Sequence, residues 1–361
     1  MGISIKIEPL VTEEMKSKEI ITKPDELGFG VISTDRMLVI KYSNGKWSDP
    51  IIQKYQEIKL DPAALVLHYA QEIFEGMKAY RHTDGSIVMF RPSENIKRFN
   101  QSAERMVMPT IDPDLFMESL KKLIELEKDW VPSANECSLY VRPTYIATEP
   151  ILGVRSANEY LFYIILFPSG PYFKEGFKPI KIFVSDKYIR AAPGGVGFAK
   201  TGGNYASSLL AGEEAKQMGA SQVLWLDSLE KKYVEEVGAM NIFFVKDGTV
   251  YTPPLSKETI LPGITRASLI QLCKDMDIPC KEEALSIDDI ITGIKNGSLT
   301  ECFGAGTAAV VAPVGELLYR NETYQINGFE PGPITQKLYK TLTDIQWGRT
   351  KDPHNWIVKI A

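Results

Sequence analysis

The sequence predicts a mixed α/β protein of two domains, and three observations carry that reading. The chain of 361 residues exceeds what most single cores enclose; strand and hairpin signals give way to amphipathic helices in its first half; and a second run of strand signals follows a stretch rich in Pro and Gly. In order along the chain, MLVIKYSNGKWSD turns at Asn44-Gly45, and SIVMF (86–90) follows a second turn at Asp84-Gly85. Ser93 is expected to cap a helix with Ile96, Phe99, Ala103 and Met106 on its apolar face. Asp112 followed by Pro113 starts another, carrying Phe116, Leu120, Leu123 and Ile124. YLFYIILF (160–167) reads as a buried strand, since it is too short to cross a bilayer as a helix. GPYFKEGFKP (170–179) breaks the pattern. The expected division is thus a smaller α+β domain over 1–172, a linker over 173–184 and a larger domain over 185–361. The larger one holds the strand KIFVS, a loop around Lys200, the strand VLWLD (223–227) and a hairpin turning at Asp247-Gly248.

Composition narrows the partners. With 44% hydrophobic and 24% charged residues and a net charge of -5, the chain is an ordinary globular protein without the basic excess that nucleic acid demands. The N-terminal MGISIKIEPLVTEEMKSKEI carries early acids and no sustained apolar segment, so neither a signal peptide nor a membrane partner is expected. Cys137, Cys273, Cys280 and Cys302 are widely spread and only His68, His82 and His354 could join them, so no metal site is legible. Reduced, dispersed cysteines fit the cytoplasm. Small molecules are the remaining class of ligand.

Lys200 lies in GGVGFAKTGGNYA (194–206), where missing side chains let the backbone approach a bulky ligand. A neutral lysine amine there can form a Schiff base with a carbonyl compound or with pyridoxal phosphate. The same stretch nearly matches the phosphate loop G-x-x-x-x-G-K-[ST], failing at Ala199 and at Gly202-Gly203, where a helix should open. A non-catalytic phosphate- or nucleotide-binding protein is therefore the alternative from another class. In ILPGITRASLIQLCKDM, Pro262 and Gly263 lead into a helix with Leu269, Leu272, Cys273 and Met276 on one face, whose first amides, at Ile264 and Thr265, suit a phosphate monoester. FGAGTAAVVAPV offers Thr307 at a turn, with Ala305, Ala308 and Ala309 leaving room for a ligand. YVEEVGAMNIFFV sets Glu235 and Glu236 before a strand, and alternation expects one inside and one outside. Singly, each feature has an ordinary structural explanation.

Together they do more. LHYAQEIFEGMKAYR (67–81), FRPSENIKR (90–98), SLYVRP (138–143), GGVGFAKTGGNY (194–205), EVGAMN (236–241), LPGITR (261–266) and FGAGTA (303–308) follow in an order that resembles the branched-chain amino acid aminotransferases, within the fold-type IV pyridoxal phosphate enzymes. The resemblance implies two domains with pyridoxal 5′-phosphate at their interface. It implies reversible ping-pong transfer of the amino group from leucine, isoleucine or valine to 2-oxoglutarate. It gives Lys200 the Schiff base and the acid/base role, Tyr205 a hydrogen bond to the cofactor's phenolic oxygen, and Glu236 the pyridine nitrogen. Arg98, Ile264, Thr265 and Thr307 would hold the phosphate, with Arg190 nearby. Phe29, Phe74, Tyr140, Tyr172 and Ala308 would form an apolar substrate pocket, Tyr69 would help at the carboxylate end, and Arg142 would take the second carboxylate of glutamate. The loop EPILGV (149–154), with Val154, would close the pocket of the other subunit in a homodimer. D-amino acid aminotransferase and aminodeoxychorismate lyase share that fold and are the nearer alternatives. Two departures stand out: Ala309 and Ala312 replace a redox-sensitive CxxC found in some relatives, and Ala239 replaces a threonine near the substrate carboxylate.

Overall fold

The computed structural model describes residues 3–170 and 177–361. Its contacts divide the chain into two units: Met1–Lys174 with Ala199–Gly202 and Ile345–Ala361, and Glu175–Phe198 with Gly203–Asp344. This differs from the linear division in three places, the first being that Ala199–Gly202, with Lys200, joins the first unit. Ile180–Ser185 is the strand that KIFVS predicts, lying almost wholly inside the expected linker range, and it pairs in parallel with Gln222–Leu226 on one side and Val310–Tyr319 on the other. The chain end joins the first unit because Ile357–Lys359 pairs with Ile87–Phe90, where Trp356 packs edge-on against Phe90 at 5.5 Å. Residues 171–176, Tyr172 among them, lie outside the described residues.

The first unit is built on a sheet of ten strands among the described residues, antiparallel except where Lys6–Ile7 meets Ile51–Lys54. Asn44 and Gly45, with φ of 52° and 73°, make the tight turn from Arg36–Ser43 to Lys46–Trp47; positive φ at both positions matches the right-handed twist of the strands. At the centre, Ser138–Ala147 and Tyr160–Ser169 pair along their full lengths. Helices Pro92–Arg105 and Pro113–Leu126 cover one face, where the rings of Phe99, Phe116 and Phe162 meet at 4.9–5.5 Å. The second helix starts as expected: the Asp112 carboxylate accepts the N–H groups of Asp114 and Leu115. The first starts earlier than expected. Pro92 fixes the first helical φ, Arg91 is the cap residue, and Ser93 falls inside the first turn without capping it.

In the second unit the strands close on themselves. Val234–Val237, Gln222–Leu226, Ile180–Ser185, Val310–Tyr319, Leu299–Gly306 and Met240–Lys246 pair in sequence, and Met240–Lys246 pairs back with Val234–Val237. Closure leaves these strands no open edge along the ring. Phe243 and Phe303 stack within it at 5.0 Å. The Asp247-Gly248 turn joins Met240–Lys246 to Thr249–Thr252 as the sequence predicts. Helix Ile264–Asp275 buries Leu269, Leu272 and Cys273, with Met276 at its C-cap.

Candidate active site

Strand alternation sorts Ser138–Ala147 into two faces. Leu139, Val141 and Tyr145 join the helix-covered core, so Tyr140, Arg142 and Thr144 turn the other way. Register brings Phe74 and Tyr163 to either side of Thr144, with Glu72 two residues from Phe74 on the same face. Arg142 is positioned here by aromatic rings: its guanidinium carbon lies 4.7 Å from the Phe74 ring centre and 5.2 Å from that of Tyr140, and its Nη2 donates to the Tyr140 hydroxyl at 2.8 Å. Its Nε is buried with no hydrogen-bond partner among the described residues. Phe29 packs edge-on against Tyr140 at 4.7 Å. Gly76 makes this arrangement possible, because a Cβ there would lie 2.3 Å from the Tyr140 hydroxyl oxygen.

Lys200 belongs to the same unit. Its N–H donates to the Ser102 hydroxyl at 2.9 Å, its carbonyl accepts the Phe74 N–H at 3.0 Å, and its amine sits 4.8 Å over the Phe74 ring. The lysine segment is thus tied to the strand Glu72–Phe74, with the Thr201 hydroxyl donating to the Glu72 carbonyl at 2.7 Å.

Arg98 meets a residue the sequence reading passed over. Its Nε and Nη2 donate to Glu75 at 2.7 and 2.9 Å, and the carboxylate also accepts from the Asn95 amide and the Gly76 N–H, at 2.8 and 3.1 Å. Glu75 is 0% exposed. Burial alone would push its carboxyl up, but the Arg98 charge and hydrogen bonds, with the Lys200 charge and Asn95, bring it below the ordinary range. A signal was present: alternation places Glu75 with Ile73, opposite Glu72 and Phe74, and a buried acid requires a cation.

In the second unit both glutamates are buried, Glu235 at 6% and Glu236 at 2% exposed, which corrects the expected in-and-out alternation. The strand Val234–Val237 is covered on both sides, and each acid holds the segment 259–261, which returns to it after two further strands. Glu235 accepts the Thr259 hydroxyl at 2.6 Å; burial raises its pKa, and that hydrogen bond opposes the rise. Glu236 accepts the Leu261 N–H and the Asn241 amide, each at 3.1 Å, and pairs with Arg190 Nε at 2.5 Å. Arg190 also donates to the Thr259 carbonyl at 2.8 Å. The loop then enters helix Ile264–Asp275 at Gly263, where a Cβ would lie 1.9 Å from the Asn241 side-chain oxygen. Ile264 and Thr265 are buried in its first turn. A cavity of about 140 Å³ is lined by Arg190, Asn204, Tyr205, Trp225 and Ala239.

The structure therefore gathers Phe29, Phe74, Tyr140, Arg142 and Lys200 within the first unit, and Arg190, Tyr205 and Glu236 around one region of the second. Thr307 and Ala308 stand half-buried at the turn between Leu299–Gly306 and Val310–Tyr319. Tyr69 and Val154 are not part of the arginine cluster: the Tyr69 hydroxyl donates to the Leu152 carbonyl at 2.5 Å, and Val154 is 83% exposed.

Comparison with known proteins adds an independent line. The family model for amino-transferase class IV matches residues 72–317. Branched-chain-amino-acid transaminase 1 of Bacillus subtilis (strain 168) is 52% identical over 339 residues, covering 93% of this chain and 95% of that protein. Branched-chain-amino-acid aminotransferase 2 of the same organism is 50% identical, covering 94% and 93%. Among solved structures, the branched-chain amino acid aminotransferase of Escherichia coli aligns with a TM-score of 0.75 at 30% identity, over 89% of this chain and 99% of that one. The T.th. branched-chain amino acid aminotransferase complexed with N-(5′-phosphopyridoxyl)-L-glutamate aligns at 0.72 and 27%, over 89% and 98%.

Proposed function

This chain belongs to the class IV aminotransferases, and on that premise we propose that it passes the amino group of leucine, isoleucine or valine reversibly to 2-oxoglutarate, with pyridoxal 5′-phosphate as cofactor. The observation that carries the substrate class is a guanidinium set in an aromatic wall: Phe29, Phe74 and Tyr140 accept an aliphatic side chain, while Arg142 suits the second carboxylate of glutamate. The relatives support the same pair, since one is a complex with a phosphopyridoxyl glutamate and another with 4-methylvaleric acid.

Each unit offers groups that suit the cofactor: the first a lysine amine between glycines, the second a buried carboxylate paired with Arg190 and a helix that opens at Gly263 with Ile264 and Thr265 in its first turn. Lys200 would hold the group, Glu236 its ring nitrogen, Tyr205 its phenolic oxygen, and Arg98, Ile264, Thr265 and Thr307 its phosphate, with Arg190 nearby. When bound, pyridoxal phosphate supplies the electron sink that makes the substrate Cα–H acidic. Lys200 then takes and returns the proton at Cα, and the Phe74 N–H and Ser102 hydroxyl keep its backbone in place while it does so. The paired Glu236 brings a negative charge to the position that would otherwise cost a buried cation.

We assign the working form to a homodimer. Leu67, Tyr69, Leu152 and Val154 are exposed apolar residues on the chain, and Tyr69 and Leu152 are hydrogen-bonded, so this surface suits burial by a second copy. The cytoplasm is the expected compartment, because all four cysteines are free thiols.

The test is the visible absorbance of the purified protein loaded with pyridoxal phosphate, before and after L-leucine with no keto-acid acceptor. The yellow band should be lost with L-leucine and return with 2-oxoglutarate. A band that responds only to D-amino acids would move the function to the D-amino acid branch of the fold, and saturable nucleotide binding by a colourless protein would overturn it.

A further inference from the structure

Glu72 shares the strand and face of Phe74, beside the arginine cluster, and is half-buried. Its carboxylate accepts the Gly202 N–H, and its Oε1 fills the space that a side chain at 202 would need, since a Cβ there would lie 1.8 Å away. The Thr201 hydroxyl grips the carbonyl of the same residue at 2.7 Å. The negative charge is thus tethered to the segment that carries Lys200. Burial raises the Glu72 carboxyl above its ordinary range, while the Gly202 N–H and the Arg142 charge pull the other way. Tyr163, on the same face, feels both charges, with opposite sign.

Arg142 has a problem that this placement addresses. A guanidinium with a buried, unpaired Nε attracts any carboxylate, so a pocket that must alternate between an aliphatic amino acid and a dicarboxylate would be biased toward the second. An aliphatic side chain would also seal a lone cation away from water. We propose that Glu72 is a positioning residue that sets substrate selectivity: fixed on Gly202, it offsets the charge of Arg142, so that the pocket tolerates an uncharged side chain and holds a second carboxylate less tightly than the arginine alone would. This rests on the substrate pair proposed for the protein, and the test separates the two.

Titration calorimetry on the pyridoxal phosphate-loaded protein uses two unreactive ligands, glutarate and 4-methylvalerate, with the wild type, Glu72→Gln and Glu72→Asp. The amide of Glu72→Gln keeps an acceptor for Gly202 but removes the charge, so glutarate should bind about three- to ten-fold tighter while 4-methylvalerate binds more weakly. Glu72→Asp, which keeps the charge, should restore the wild-type ratio of the two. A ratio that does not move in Glu72→Gln, or both ligands shifting alike as a purely structural role would give, overturns the proposal. A wild type that binds glutarate in a Glu72-dependent way but never 4-methylvalerate sinks the branched-chain reading and leaves the role of Glu72 standing. Binding of neither ligand overturns both.

Discussion

The two faces of one sheet in the first unit do opposite work with the same strands. On Ser138–Ala147, Leu139, Val141 and Tyr145 pack into a core with Phe99, Phe116 and Phe162, while Tyr140, Arg142 and Thr144, one residue out of step, form a wall with a charged group stacked on rings. The core face is packed ring against ring and carries no charge, although the Tyr145 hydroxyl is buried there without a hydrogen-bond partner among the described residues. The other face instead holds two charged groups, a guanidinium set on rings and a half-buried glutamate on the neighbouring strand, which suits a polar ligand. Stability and function are therefore separable by residue parity.

Substitutions should break that separation if it is false. Phe162→Ala empties a site among three rings and should cost about 3–5 kcal/mol in denaturant unfolding, while kcat measured well below the transition holds. Equal loss of kcat would mean that the core face also shapes the site. Glu75→Gln leaves the Arg98 charge buried without its counterion and should cost about 3 kcal/mol. Its pH dependence is directional. Because the folded-state pKa of Glu75 lies below the ordinary 4.5, its stabilisation is complete above that value and is lost as pH falls through the depressed one. The variant should show a shallower loss of stability on the acid side; an unchanged acid limb would remove Glu75 from the account.

Asp112→Ala tests the helix that covers the core face. It removes the acceptor for two first-turn N–H groups and should cost about 1 kcal/mol without touching kinetics. Arg142→Leu is the smallest in stability, since it deletes a buried unpaired donor and should leave unfolding unchanged or slightly improved. Its kinetic effect should be selective, with KM for 2-oxoglutarate raised about ten- to hundred-fold and KM for leucine held. A rise for both substrates would place Arg142 at the shared α-carboxylate instead.

What the sequence made legible was local. The turns at Asn44-Gly45 and Asp247-Gly248, the Asp112 cap and the Tyr160–Ser169 strand each depend on neighbours within a few residues. Ser93 was misplaced because a proline one position earlier fixed the helix start. The return of Ile357–Lys359 to the first sheet depends on a partner far away in the chain, so no periodicity reveals it. For the site, residue types pointed to Lys200 and to the pair Glu235 and Glu236, and the family resemblance to Arg142 and to the choice of Glu236, but ion-pair partners did not follow from either. Arg98 with Glu75 and Arg190 with Glu236 are each a strand or helix residue matched across the fold. Alternation expects one of Glu235 and Glu236 outside, yet a loop returning at Thr259 covers Glu235 as well.

Transfer of ¹⁵N from labelled L-leucine to 2-oxoglutarate by the pyridoxal phosphate-loaded protein and its Lys200→Ala variant tests the central claim most directly. The account predicts labelled L-glutamate in step with the keto acid of leucine from the wild type, and none from the variant. Undiminished transfer by Lys200→Ala, or label passing from D-leucine but not L-leucine, would contradict it.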